Sequence, residues 1–583
     1  MEMGEAMLLK RLVEYSERLE PQPALYAEIA VRYIVELDSR GCPLSPKPVD
    51  TSDPATLRAR DGQRRLMPQI QRSSGIKPIL FADRAKYTLG ITSGSPKRED
   101  VKHDEGVRRR HRAYLEMFGR CAEHTRLPQV HAVRRFLENA PLAKLELGED
   151  FVPADRLTFR VDGVFPSDLK PVQRFWADEH DPANSDGKEV QKMQCLVCGE
   201  TRPVLKRHQM KIKGVPGGQT SGTMIISANA EAFESYGLEA SLIAPTCARC
   251  GERFTRAAND LLQKEANHFV IDRERGPVFI FWTREPCEFS FRDFLAAPQP
   301  EQVRALIESV RSGQNTAAFE ANSFYAAALS ASGGRVVIRD WIDNTVEQVR
   351  ANLALWFERQ SIIGPCGEPP RPFGITGLAR STVRDLRDLA PAISRALMRS
   401  ALTGAPLPFD LIYETARRNR AEQGVTHPRA ALTKLVMRSQ RYRDTTEDTM
   451  VSLNAEEQSP AYRCGRLLAV LEQAQRLAIR PKATIVDRFY GAASSSPRLV
   501  YPNLLKLARA HLSKLERDNP GARAAIEARI EEITSGIPSF PATLTLEEQG
   551  LFSLGYYHQR AHDRAQAKEA RAARQAMAEP GNA

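Results

Sequence analysis

Two cysteine pairs, Cys195-Leu-Val-Cys198 and Cys247-Ala-Arg-Cys250, are separated by 48 residues in a chain of 583. Each pair is a knuckle offering two thiolates, and four thiolates close a tetrahedral zinc site. Closure ties two distant points of the chain together and folds everything between them into one loop-and-strand module. Four sulfur ligands leave no open coordination position, so a zinc held here is structural. The spacing is longer than in common zinc ribbons; coincidental cysteines and redox chemistry are the other readings of the same four residues. The enclosed passage LKRHQMKIKGVPGGQTSGTMIISANAEAF is basic and glycine-rich, and Arg202, Lys206, Arg207, Lys211 and Lys213 occur with no acid among them. Anchored positive charge of this kind suits a phosphate backbone.

The remaining cysteines, Cys42, Cys121, Cys287, Cys366 and Cys464, are scattered singly. That usage fits reduced thiols acting as small buried apolar residues in a cytosol. A chain of this length exceeds one ordinary core, and two to four domains are expected. Mean hydropathy of −0.41 reads as a soluble globular protein. Apolar runs such as VFIFW are too short to span a bilayer. The first residues, MEMGEAMLLKRLVEYSERLEP, lack a signal-peptide pattern, so a cytoplasmic location without a membrane is expected. A formal charge of +11 favours a polyanionic partner.

The expected fold class is α+β: a mixed N-terminal body with an embedded zinc-knuckle module, then an all-α C-terminal bundle. The divisions are an α+β domain over 1–190, the glycine-rich module over 191–260, a region passing from α+β to helical over 261–445, a bundle over 450–560 and a mobile tail over 561–583. Alternation at Ile29, Val31, Tyr33, Val35 and Leu37 reads as one strand ending at Ser39-Arg40-Gly41. A basic stretch follows over 58–78, then a strand pair in ILFADRAKYTLGI. Residues 104–140 read as helix, with Arg108, Arg109, Arg110 and Arg112 near its start. Positive charge is unfavourable at a helix N-terminus, so the cluster faces either an anion or solvent.

Further on, VFIFW reads as a buried strand, and FYAAALSASGGRVVIRDWI as two strands joined at Gly333-Gly334. Residues 344–360 and 380–443 are helical, and 443–460 form a polar linker. In the C-terminal part, Leu467, Leu468, Leu471 and Ala474 mark one helix face, and Leu504, Ala508, Leu512 and Leu515 another. Thr545 with Glu548 makes a capping box.

No phosphate-binding loop of the Walker type, nucleophile elbow or metalloprotease motif is present. The GVPGGQTSG loop allows either close backbone approach to a partner or a flexible turn. A metal-dependent HNH-like nuclease is the alternative from another class, because such enzymes carry two knuckles around a histidine, here His208. Arg207 stands where such enzymes place an acid or histidine, and no histidine follows Cys250 until His268.

The blocks PVLKRHQMKIKGVPGGQTSGTMIISANAEAFESYG, AYRCGRLLAVLEQAQ, DRFYGAASSSPRLVYPNLLKLARAHLSKL and FPATLTLEEQGLFSLGYYHQ resemble one family in order. It is the large subunit of the subtype I-C CRISPR Cascade surveillance complex, and the resemblance runs to about residue 560. It implies a non-catalytic subunit that reads the PAM, opens the duplex, steadies the displaced strand and recruits a helicase–nuclease. Target discrimination itself rests on guide pairing. Implied partners are the guide CRISPR RNA, target duplex and displaced strand, and the Cascade backbone and guide-processing subunits. A small subunit translated from the gene's own 3′ part, starting near Met450, is also implied. DNA-facing residues would include Arg64, Arg65, Lys86, Arg108, Arg109, Arg110, Lys206, Arg207, Lys211 and Lys213. Gln219, Ser227 and Asn229 would offer base-edge contacts, with local turn or capping roles as the competing reading. Zinc on Cys195, Cys198, Cys247 and Cys250 is read from this chain's own spacing and not from the family.

Overall fold

The computed structural model describes residues 3–52, 62–70, 72, 75–91, 105–139, 144–148, 151–180, 191–228, 230–313, 322–440 and 450–578. Two compact units emerge. The first comprises Met1–Gly214, Gly218–Asp260 and Ala331–Val337; the second comprises Val215–Gly217, Leu261–Ser330 and Ile338–Ala583.

In the first unit, helix α1 (Met3–Ser16) precedes β1 (Tyr26–Val31), β2 (Tyr33–Leu37), β3 (Val49–Asp50), β4 (Gln63–Pro68) and β5 (Asp83–Arg84). Then come α2 (Ala85–Thr88), α3 (Glu105–Thr125), α4 (Pro128–Glu138), β6 (Arg156–Val161) and α5 (Lys170–Glu179). The hairpin β7 (Lys192–Gln194) and β8 (Thr201–Pro203), with α6 (Ala248–Gln263), frames the cysteine module. β1 pairs antiparallel with β4, while β2 lies in a separate mixed sheet of order β3-β2-β6-β5, parallel to β6.

The alternation from Ile29 to Leu37 is therefore two strands in two sheets. The break falls at Arg32, whose side chain is 5% exposed and pairs with Asp155 at 3.1 Å and Asp50 at 3.3 Å. A guanidinium so deeply placed must keep its carboxylates, and the backbone turns to bring it to them. The strand pair expected in ILFADRAKYTLGI is likewise replaced by the two-residue β5 and one turn of helix. Buried Asp83 accepts from the Ile79 N–H at 2.8 Å and the Arg84 N–H at 2.7 Å, which fixes a turn where a ladder would have formed. Pro128 at the first position of α4 divides the helical stretch 104–140 in two. Tyr114, Phe118, Phe136, Phe159 and Trp176 fill the core of this unit.

The second unit holds β9 (His268–Val270), β10 (Val278–Thr283), α7 (Phe291–Ala296), α8 (Pro300–Arg311), β11 (Ser323–Ser332) and β12 (Arg335–Thr345), except for the strand tips 331–337. The sheet order is β12-β11-β10-β9, and every residue of β10 is buried, so the VFIFW strand is covered on both faces. Helices α9 (Val346–Gln360), α10 (Ile375–Arg380), α11 (Pro391–Thr403), α12 (Asp410–Glu422) and α13 (His427–Gln440) share a core with this sheet.

A second core is built from α14 (Pro460–Ile479), α15 (Ile485–Ala493), α16 (Pro497–Asp518), α17 (Pro520–Ser535) and α18 (Leu546–Ala578). The expected single apolar face of α14 is an underestimate: it is buried on almost every side because α15 to α18 all pack on it. Its buried charges keep partners. Arg466 is bidentate on Glu532 at 2.9 and 3.0 Å, and Glu472 receives Arg476 at 2.7 Å and the Tyr556 hydroxyl at 2.9 Å. The Thr545–Glu548 capping box forms with both of its hydrogen bonds. Helix α18 continues through residues 561–578, where a mobile tail was expected; 579–583 lie outside the described residues. The fold is α+β with a helical C-terminal region. Among the described residues no helix is long and apolar enough to cross a membrane.

Candidate metal centre and nucleic-acid interface

The first knuckle is the turn of the β7–β8 hairpin. The Cys195 N–H donates to the Glu200 carbonyl at 2.9 Å, and the Gly199 N–H returns to the Cys195 carbonyl at 2.8 Å. Gly199 holds φ at +76°, a left-handed value that suits glycine. The second knuckle enters α6, with Cys250 in its first turn. Backbone bonds join the knuckles: Leu196 N–H to the Pro245 carbonyl at 2.9 Å and Leu205 N–H to the Thr246 carbonyl at 3.2 Å.

All four Sγ atoms lie within 4.8 Å of one another. A zinc with Zn–S arms of ~2.3 Å needs edges of ~3.8 Å, so the four cysteines fit a tetrahedral ion after small side-chain shifts. Cys195, Cys247 and Cys250 are buried and Cys198 is exposed. Hydrogen bonds from Cys247 and Cys250 hold the Cys195 thiol far below its ordinary range, and hydrogen bonds to Cys195 and Cys247 push Cys250 far up. A divalent ion would displace the thiol protons.

Asn259 of α6 clamps the basic passage. Its Oδ1 accepts the Lys213 N–H at 2.8 Å, and its Nδ2 donates to the Lys211 carbonyl at 3.0 Å. The Met224 N–H donates to the Gly334 carbonyl at 2.8 Å, which adds the 331–337 strand tips to the module. Lys213 is thereby held beside Arg64 and Arg156; desolvation, then these two guanidiniums, lower its pKa. A second group joins Lys86 with Arg84, Arg110 and Arg72, and desolvation followed by these charges lowers Lys86.

Other sequence-predicted residues are less available. Lys206 pairs with Glu239, and Arg65 pairs with Asp168 at 2.6 Å while lying over the Phe165 ring. Arg108 and Arg109 are exposed on α3, and Arg207 and Gln219 are exposed within the module. Lys211 reaches the Ser221 hydroxyl at 3.3 Å, Ser227 is half-buried, and Asn229 lies outside the described residues. Sequence reasoning placed Arg72 only within the basic stretch 58–78 and missed Arg84 and Arg156, which join the clusters through tertiary packing. It also missed Tyr236, 99% exposed with φ +54° at the tip of a bridge between Ser235 and Leu238. The Tyr-Gly pair at that turn was the available signal. His208 is 4% exposed and packs edge-on to Phe254 at 5.6 Å.

The chain matches the family described as CRISPR-associated protein (Cas_Csd1) over residues 12–563, nearly its whole length. It belongs to that family, the large subunit of subtype I-C Cascade. A role in CRISPR defence follows, as does association with other Cascade subunits and the guide RNA. No curated protein matches the chain.

Proposed function

We propose that this chain reads the PAM beside a guide-matched target, helps open the duplex, steadies the displaced strand and recruits a separate helicase–nuclease. In this reading the chain is a non-catalytic subunit working in the cytoplasm. The crowding of like charge carries the proposal: Lys213 stands beside Arg64 and Arg156, and Lys86 beside Arg84, Arg110 and Arg72, and desolvation followed by these neighbours lowers the pKa of each lysine. Such an arrangement is relieved by a phosphate backbone, which rewards every added cation. Tyr236 adds an exposed ring suited to stacking on an unpaired base. Exposed Arg108, Arg109 and Gln219 extend the same interface.

Zinc on Cys195, Cys198, Cys247 and Cys250 is proposed as a clasp that keeps the Lys211–Lys213 segment rigid. The clasp module over 191–260, the bodies on either side of it and a C-terminal bundle from residue 450 are proposed as working domains. The small subunit is proposed to arise from internal initiation at Met450.

The test is DNA binding by the assembled complex, with and without a PAM, across a salt series. Arg64→Ala with Lys213→Ala should weaken binding to all duplexes and reduce the salt slope by about 0.9 for each phosphate no longer neutralised. An unchanged slope would remove these residues from the interface. Cys247→Ser with Cys250→Ser should release bound zinc and weaken PAM-dependent binding, read by metal content and by mobility shift. DNA cleavage with Mg²⁺ that disappears in His208→Ala would instead favour the nuclease alternative.

A further inference from the structure

The strand tips 331–337 bring one side chain to the first unit that no sequence motif marks, Arg335. They extend a short ladder in the cysteine module. Ile212 and Thr223 exchange backbone hydrogen bonds at 2.8 and 2.7 Å. The Met224 N–H donates to the Gly334 carbonyl, and the Val336 N–H to the Met224 carbonyl, both at 2.8 Å. Ile212, Thr223 and Val336 are buried, so one face of the ladder is closed. Side chains alternate along a strand, which turns Lys211, Lys213, Met224 and Arg335 to the open face. Lys211, Lys213 and Arg335 therefore share that face, and none has a carboxylate partner among the described residues.

Arg335 is held there by a ring. Its guanidinium lies 3.9 Å from the ring centroid of Phe233, which is 47% exposed. Phe233 ends a short 3₁₀ turn, Glu231–Phe233, with its N–H on the Ala230 carbonyl at 2.9 Å. Glu231 and Glu234 flank the ring in sequence, yet neither pairs with Arg335. A Cβ on Gly334 would stand 3.7 Å from the Gln219 amide, so this exposed amide lies beside the same strand tip. A guanidinium stacked on a ring keeps its plane and presents its N–H fork edge-on, with little freedom left to lose. The edge it fits carries two acceptors side by side. A phosphate offers such a pair, and so does the O6 and N7 edge of guanine.

Given the nucleic-acid reading, on which this rests, we infer that Arg335 takes a paired-acceptor edge of the target duplex. Phe233 is its positioning residue.

Mobility shift of the assembled complex tests it, on guide-matched duplexes whose flanking base pairs are varied one at a time, across a salt series. Arg335→Ala should weaken binding by about tenfold or more, the size of a charge-assisted hydrogen-bond pair. Arg335→Lys should restore only part of that, because a point charge keeps the attraction and loses the fork. Phe233→Leu should weaken binding in the same direction, and Phe233→Tyr should keep it, since only the ring is needed. Equal thermal midpoints in Arg335→Ala and Arg335→Lys separate a lost contact from a damaged module. A loss uniform over all sequences, with the salt slope reduced by about 0.9, assigns the contact to a phosphate. A loss confined to duplexes with guanine at one position, with the slope unchanged, assigns it to a base edge. Binding of Arg335→Ala within about twofold of the parent overturns the assignment. Full recovery in Arg335→Lys, together with no effect of Phe233→Leu, overturns it as well. If Arg64→Ala with Lys213→Ala still weakens binding then, the nucleic-acid reading stands and the Arg335 contact alone falls. If that double variant also binds like the parent, the reading falls with it.

Discussion

His558 is fully enclosed, with its Nδ1 2.9 Å from the Tyr462 hydroxyl. Burial, with Lys434 nearby, pushes its pKa down to about 3. The folded protein keeps it neutral, while an unfolded chain protonates it below about 6.5. Its share of stability is therefore complete above about 6.5 and lost as pH falls toward about 3, by up to ~1.4 kcal/mol per pH unit. The urea midpoint should fall between about pH 6.5 and 4.5, and His558→Gln should flatten that fall. An unaltered slope in the variant would assign the effect elsewhere, with His208, pushed down to about 4 by burial, the next group to replace. Residues acting over short sequence distances were legible beforehand: Thr545 and Glu548 need only each other and the local backbone. Arg32 was not, because the carboxylate that places it, Asp155, is 123 positions away.

The crossing of α14 with α18 is close enough that two glycines face the opposite backbone. A Cβ on Gly465 would lie 2.0 Å from the Phe552 carbonyl oxygen, and one on Gly555 would lie 2.1 Å from the Tyr462 oxygen. Gly465→Ala and Gly555→Ala should each destabilise the protein by at least the ~1–3 kcal/mol typical of overpacking, measured by denaturant unfolding. A change within about 0.5 kcal/mol would mean that the helices slide apart without cost. Elements whose character is set by their own residues were readable, as with the apolar VFIFW run of β10 and the glycine turn between β11 and β12. The position of α14 was not, since periodicity reports one face while the helices that cover the others come later in the chain. The gathering of Cys195, Cys198, Cys247 and Cys250 was legible for the same reason as the capping box: the spacing names the residues that meet. The cationic clusters were half legible, because Arg64 and Lys213 stand out by composition whereas Arg156 joins them only in the fold.

At the level of the whole chain, the C-terminal helices share a core with the rest of the second unit. Leu554 and Tyr557 of α18 and Tyr462 of α14 belong to the core built by α9 to α13, and the Tyr557 hydroxyl donates to the Ile363 carbonyl at 2.7 Å. A separately translated product of residues 450–583 would carry that face uncovered. Produced alone, it should self-associate, seen as a mass above the monomer in size exclusion with light scattering. A stable monomer would mean that α18 re-covers the face by itself. In cells, Met450→Leu should remove the short product, and its persistence would place the start elsewhere.

The first unit is not contiguous: it needs residues 331–337, whose Gly334 carbonyl takes the Met224 N–H. On a ribosome, Cys250 therefore emerges well before the last piece of its own module. Folding that proceeds from the N-terminus must pause there with the glycine-rich segment short of a neighbour. A metal gathered early by the four cysteines would be a timekeeper, holding the half-made module in shape until translation delivers the missing strand tips.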